Sequence, residues 1–65
     1  MVGDADRDVF FEFIAIGASV KVTAIDSQTG IEVSIVGPAS AAQADLERLA
    51  LQKLKARLAR EASAR

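Results

Sequence analysis

The stretch Ser19-Val20-Lys21-Val22-Thr23-Ala24-Ile25 alternates polar and apolar side chains almost strictly. A period of two belongs to a half-buried β-strand, in which successive side chains point to opposite faces. On its N-terminal side stand Gly17-Ala18 and, before them, Val9-Phe10-Phe11-Glu12-Phe13-Ile14-Ala15-Ile16, rich in the aromatic and branched residues that strands favour. On its C-terminal side Asp26-Ser27-Gln28-Thr29-Gly30 has turn chemistry: Asp bonds local backbone and Gly accepts φ > 0. Ile31-Glu32-Val33-Ser34-Ile35-Val36 then alternates again, and Gly37-Pro38 is expected to end the strand because proline cannot donate to a ladder.

The register can be tested on paper. If Gly17-Ala18 is a two-residue type II′ turn, Ala15 faces Val20, Phe13 faces Val22 and Phe11 faces Ala24. If 27–30 is a four-residue loop, Val22 faces Ile35 and Ala24 faces Val33. One sheet face then collects Phe11, Phe13, Ala15, Val20, Val22, Ala24, Ile31, Val33 and Ile35, with no polar side chain among them. A slip of one residue would break this set. The opposite face takes Glu12, Ser19, Lys21, Thr23, Glu32 and Ser34.

After Pro38 the period becomes that of a helix. From 41 to about 62 the chain is almost entirely Ala, Leu, Gln, Glu, Lys and Arg, strong helix formers, with neither Gly nor Pro. Ser40 followed by Gln43 matches a capping box. Asp45 and Glu47 near the start, with Arg57 and Arg60 near the end, suit the helix dipole. The expected fold is α+β: a three-stranded antiparallel β-meander over 9–16, 19–26 and 31–36, with one C-terminal α-helix over 41–62 packed on one sheet face. Residues 1–7 read as a disordered acidic tail, 8–62 as a single domain and 63–65 as a frayed end.

Composition narrows the function. The 65 residues contain no Cys, His, Trp or Tyr. No disulfide or Cys/His zinc site can reinforce so small a core, and no Ser-His-Asp or Cys-His set can be assembled. A non-enzyme without cofactor, metal or small-molecule ligand is expected. The longest apolar stretch, 9–18, is interrupted by Glu12 and is far shorter than the ~20 residues of a membrane span. The start is acidic, the reverse of a secretory signal, so a cytoplasmic protein is expected.

Apolar surface is in surplus. Leu46, Leu49, Ala50, Leu51, Leu54 and Leu58 spread over about 200° of the helix, where covering one small sheet takes about 100°. On the more polar sheet face, Phe10, Ile14, Ile16, Ile25 and Val36 are interspersed with charges. Contiguous exposed apolar patches mark interfaces. The expected protein-interaction face combines Phe10, Ile14, Ile16 and Val36 with Leu51 and Leu58. Its expected occupant is a second copy, giving a homodimer, or an unidentified protein. The third strand, an edge with Glu32 as its sole charge, reads as poorly protected.

Other constellations are weaker. Asp4-x-Asp6-x-Asp8 imitates a calcium loop, but Val9 stands where Gly is needed and Ala15 where a bidentate Glu is needed. Lys53, Arg57 and Arg60 form one basic helix stripe, the phosphate contacts of an alternative reading as a nucleic-acid accessory protein. A solvated face with dipole-favoured cations and a Glu61–Arg65 pair is the favoured reading of that stripe, because the total charge is negative and the basic density modest. Lys21, between Ile14 and Val36, is expected to pair with Glu12 or Glu32.

The run Phe11-Glu12, Gly17, Val20-Lys21-Val22, Ala24-Ile25-Asp26, Thr29-Gly30 and Glu32-Val33-Ser34-Ile35-Val36-Gly37-Pro38 resembles a family of short alphaproteobacterial proteins described as a domain of unknown function. The resemblance covers about 9–58 and implies no activity. Three strands followed by a helix are also similar to the C-terminal part of double-stranded-RNA-binding domains. Those domains open the helix with lysines that grip phosphates, whereas Ala39-Ser40-Ala41-Ala42-Gln43-Ala44 has none, so RNA binding is not carried over.

Overall fold

The structure, a computed structural model, describes residues 8–63. The expected acidic tail at 1–7 and the last residues, 64–65, lie outside them. Strands β1 (Val9–Ile16), β2 (Ser19–Asp26) and β3 (Glu32–Pro38) form one antiparallel sheet in the order β1-β2-β3, followed by α1 (Gln43–Ser63). Every pairing worked out above is present: Phe11 with Ala24, Phe13 with Val22, Ala15 with Val20, Val22 with Ile35 and Ala24 with Val33.

Both turns follow their chemistry. Gly17 has φ of 59° and Ala18 stays at negative φ, the pattern of a type II′ turn. In the second loop Asp26 N donates to Ile31 O (2.9 Å) and Gly30, at φ of 77°, donates its N–H to Asp26 O (2.8 Å). The buried Asp26 carboxylate accepts from Thr29 N (3.0 Å) and Thr29 Oγ1 (2.7 Å). Thr29 Oγ1 in turn accepts from Ile31 N (3.1 Å). The two bonds to the carboxylate are charge-assisted and help to hold the loop closed.

The core is small. Val22, Ala24 and Val33 of the sheet pack against Leu46, Ala50 and Leu54, which recur every four residues along α1. Val9, Phe11, Phe13, Val20, Ile31, Ile35, Ala41 and Leu58 pack around them, partly buried. The helix lies over β3 and β2, and β1, farther from it, joins the core through the side chains of Val9, Phe11 and Phe13.

Four local expectations are corrected. The third strand continues through Pro38, because β3 is an edge and proline sits where its N–H would face away from β2. Ser40 is not the cap: a turn bond from Ala41 N to Pro38 O (3.0 Å) holds Ser40 ahead of the helix. Ala42 takes the cap position, its carbonyl accepting from Asp45 N (3.1 Å) and Leu46 N (3.2 Å). Ser63, expected to fray, is helical. Gly37, read as a strand breaker, allows a close approach: a Cβ there would lie 2.6 Å from Leu46 Cδ2.

Candidate functional site

β1 is the most continuously apolar strand, and no residue of it is fully buried. Its alternation places Val9, Phe11, Phe13 and Ala15 on the helix side and Phe10, Glu12, Ile14 and Ile16 on the open side. On that open face Phe10 is 58% exposed, Ile14 43%, Ile16 55% and, across the sheet on β3, Val36 66%. Rows run Phe10-Ile25-Glu32, Glu12-Thr23-Ser34, Ile14-Lys21-Val36 and Ile16-Ser19-Pro38. Lys21 does lie between Ile14 and Val36, but it makes no ion pair with a described carboxylate. Thr23 Oγ1 and Ser34 Oγ share a hydrogen bond (2.9 Å) at the centre of this face.

The two leucines expected to join this surface do not reach it. Leu51 and Leu58 are on the helix, across the sheet from Phe10 and Ile14, and Leu58 packs against the core. The exposed leucine of α1 is instead Leu49, 52% exposed. Periodicity identified the apolar arc but not which of its edges the sheet would meet.

Backbone hydrogen bonds distinguish the two sheet edges. Ser27 N donates to Asp8 O (3.1 Å) on the β1 side of β2, and Ala39 N donates to Ala18 O (2.8 Å) on the β3 side. Antiparallel ladders alternate, so Phe10, Glu12, Ile14 and Ile16 bond to β2, while Val9, Phe11, Phe13 and Ala15 turn their N–H and C=O outward. On β3 the outward groups belong to Glu32, Ser34 and Val36. There Lys53 Nζ donates to Ser34 O (2.7 Å), Glu32 adds a charge and Pro38 closes the strand. These are recognised devices for protecting an edge. β3, expected to be the vulnerable edge, is therefore the guarded one. β1 has Glu12 as its sole charge, no proline and a continuous register without a bulge.

The basic stripe is partly engaged within the chain. Lys53 serves the β3 edge, and Arg57 Nε donates to Glu61 Oε2 (2.8 Å). Glu61 thus pairs with Arg57; Arg65, its expected partner, lies outside the described residues. Arg60 is exposed. Among the described residues no group of three or more His, Cys, Asp or Glu is placed to hold a metal ion, and no helix is long and apolar enough to cross a membrane. Asp4 and Asp6 of the calcium-like run lie outside the described residues.

These features define a small α+β domain, a three-stranded meander roofed by one helix, with a bare first strand. The chain belongs to the family described as a domain of unknown function (DUF6898), which matches residues 6–61. No curated protein and no solved structure matches it.

Proposed function

We propose that the chain is a non-catalytic protein-interaction module whose docking element is β1. The observation that carries this reading is the inversion at β1: the longest run of apolar residues supplies nothing fully buried, while Phe10, Ile14 and Ile16 are exposed beside a backbone edge that no described residue covers. Extended edges of this kind take up a further strand, with main-chain bonds giving affinity and alternate side chains giving selectivity. The lack of Cys and His supports a role without chemistry of its own. Nucleic-acid binding through Lys53, Arg57 and Arg60 has less support, since two of those three cations already donate within the chain.

The test is capture from an extract of the host cell, with wild type and a Phe10→Lys/Ile14→Lys variant immobilised side by side. Circular dichroism first establishes that the variant is folded, as expected for two exposed side chains. Wild type is expected to retain protein, copies of itself included, that the variant loses. Equal retention on both would refute the reading. Loss of all retained material on raising the salt from about 50 to 200 mM, with the β1 variant unaffected, would instead identify a phosphate-binding helix.

A further inference from the structure

We infer that β1 pairs edge to edge with β1 of a second copy, antiparallel about a twofold axis through Phe13, so that two three-stranded sheets become one of six strands. This rests on β1 being the docking element and names its occupant. A sheet has two edges, and among the described residues the added protection, a lysine on an outward carbonyl and a proline, lies on β3. The Lys53 bond to Ser34 O and Pro38 close β3, whereas among the described residues nothing comparable covers the outward N–H and C=O groups of Val9, Phe11, Phe13 and Ala15. Strand addition is therefore directed to β1.

The side chains of β1 match a copy of themselves in one register. Only outward-facing residues can bond across the junction, so odd positions must meet odd positions. Two registers give the longest overlap under that condition. One sets Phe11 against Phe13 of the second copy and puts Glu12 directly opposite Glu12. Like charges facing across a strand pair are destabilising, which disfavours it. The other sets Phe13 against Phe13, Phe11 against Ala15, Phe10 against Ile16 and Glu12 against Ile14. It separates the two carboxylates, pairs Phe13 with Phe13 and Phe10 with Ile16, and sets each Glu12 opposite an Ile14. Because Ile14 lies beside Lys21 within each chain, it also puts Glu12 in a row that leads to Lys21 of the second copy, a cation with no described carboxylate partner of its own. The pairing is isologous, as a twofold dimer requires. An interface one strand wide belongs to the small, weak class, so assembly should be concentration-dependent.

Sedimentation velocity from about 1 µM to about 1 mM spans the range in which such weak interfaces form. Wild type is expected to shift from monomer to dimer. Ala15→Pro removes an outward N–H that β2 does not use, together with two of the bonds across the twofold, and is expected to weaken the dimer at least about tenfold. Ala15→Lys, which keeps the donor and adds an edge charge, is the second variant, and each is checked for folding by circular dichroism. Register is read by oxidation of single-cysteine variants, since the chain has no native Cys. Phe13→Cys is expected to cross-link faster than Glu12→Cys or Ile14→Cys. Wild type that stays monomeric to the highest concentration overturns the self-pairing, while leaving the capture experiment to judge β1 as a docking strand for other proteins. A dimer indifferent to both Ala15 variants, or fastest cross-linking through Glu12→Cys, overturns the proposed junction.

Discussion

Replacing Leu54 with alanine removes the middle of the contact that holds the helix on the sheet. Leu54 is fully buried, and its neighbours in the core are Val22, Ala24, Val33, Leu46 and Ala50. Leu→Ala at buried sites costs about 2–5 kcal/mol, depending on how far the surroundings collapse into the hole. Here several neighbours are alanine or valine, too short to reach inward, so the upper half of that range, about 3–5 kcal/mol, is expected. A chain of 65 residues has roughly 3–10 kcal/mol in total. The substitution therefore removes about three tenths of the stability at least, and in the less favourable case all of it. Leu49→Ala is the control: the same chemistry on the same helix, at a site 52% exposed, expected to cost below about 1 kcal/mol. Any gain in helix propensity from alanine is common to both and cancels in their difference. Urea titrations followed by circular dichroism give both values, repeated at several protein concentrations because a dimer, if formed, would add stability by mass action. A difference below about 1 kcal/mol between the two variants would refute the reasoning, since Leu46, Ala50 and Leu54 would then not be the row that fixes the helix.

Three further outcomes follow from local geometry. Gly37→Ala drives a methyl group to 2.6 Å from Leu46 Cδ2 and should cost about 1–3 kcal/mol in thermal or urea unfolding; a double-mutant cycle with Leu46→Val should show coupling between the two sites. Gly17→Val meets no atom within 4 Å but forces a branched residue to φ of 59°, so it should lower the melting temperature through backbone strain, and Gly17→Asn should be milder. Ser40→Ala should change stability by less than about 0.5 kcal/mol because Ser40 does not cap the helix, whereas Ala42→Ser should add about 0.5–1.5 kcal/mol at the true cap; a large loss from Ser40→Ala would refute that assignment.

Much of the fold is legible in the sequence because its signals are local and agree. Alternation in 19–25, Gly17 at the first hairpin and the Asp26-to-Gly30 loop each specify the same register, and the observed pairs Phe13–Val22 and Ala24–Val33 follow. What could not be read depends on distances between elements. The cap moved from Ser40 to Ala42 because a turn closes between Pro38 and Ala41, a competition between two local motifs that propensity does not rank. Gly37 beside Pro38 reads locally as the end of a strand, while its lack of a side chain serves the approach of Leu46, a residue nine positions on. Leu58, expected on the outer face, packs against the core and Leu49 is exposed instead, because an apolar arc of about 200° leaves the seat of the helix undetermined within it.

The bare strand follows from widths. An α-helix is about 10–12 Å across, and three strands about 4.8 Å apart span about 14 Å, so one helix covers two strands and leaves a third largely open. Which third is set by the connection. Only residues 39–42 join β3 to α1, which keeps the helix near the strand it follows, and the meander order puts β2 beside β3 and β1 farthest away. The same placement brings Lys53 within reach of the outer edge of β3. Cover and edge protection are thus both concentrated on the C-terminal side of the sheet by one short loop. The sequence nevertheless puts Phe10, Ile14 and Ile16 on the open face of β1, while its Phe11 and Phe13 pack against the core. A chain selected only to fold as a monomer would gain from polar residues there, as edge strands usually do. Their apolar character makes sense if the missing cover arrives from outside the chain, and the odd-position register of β1 makes a second β1 the simplest source.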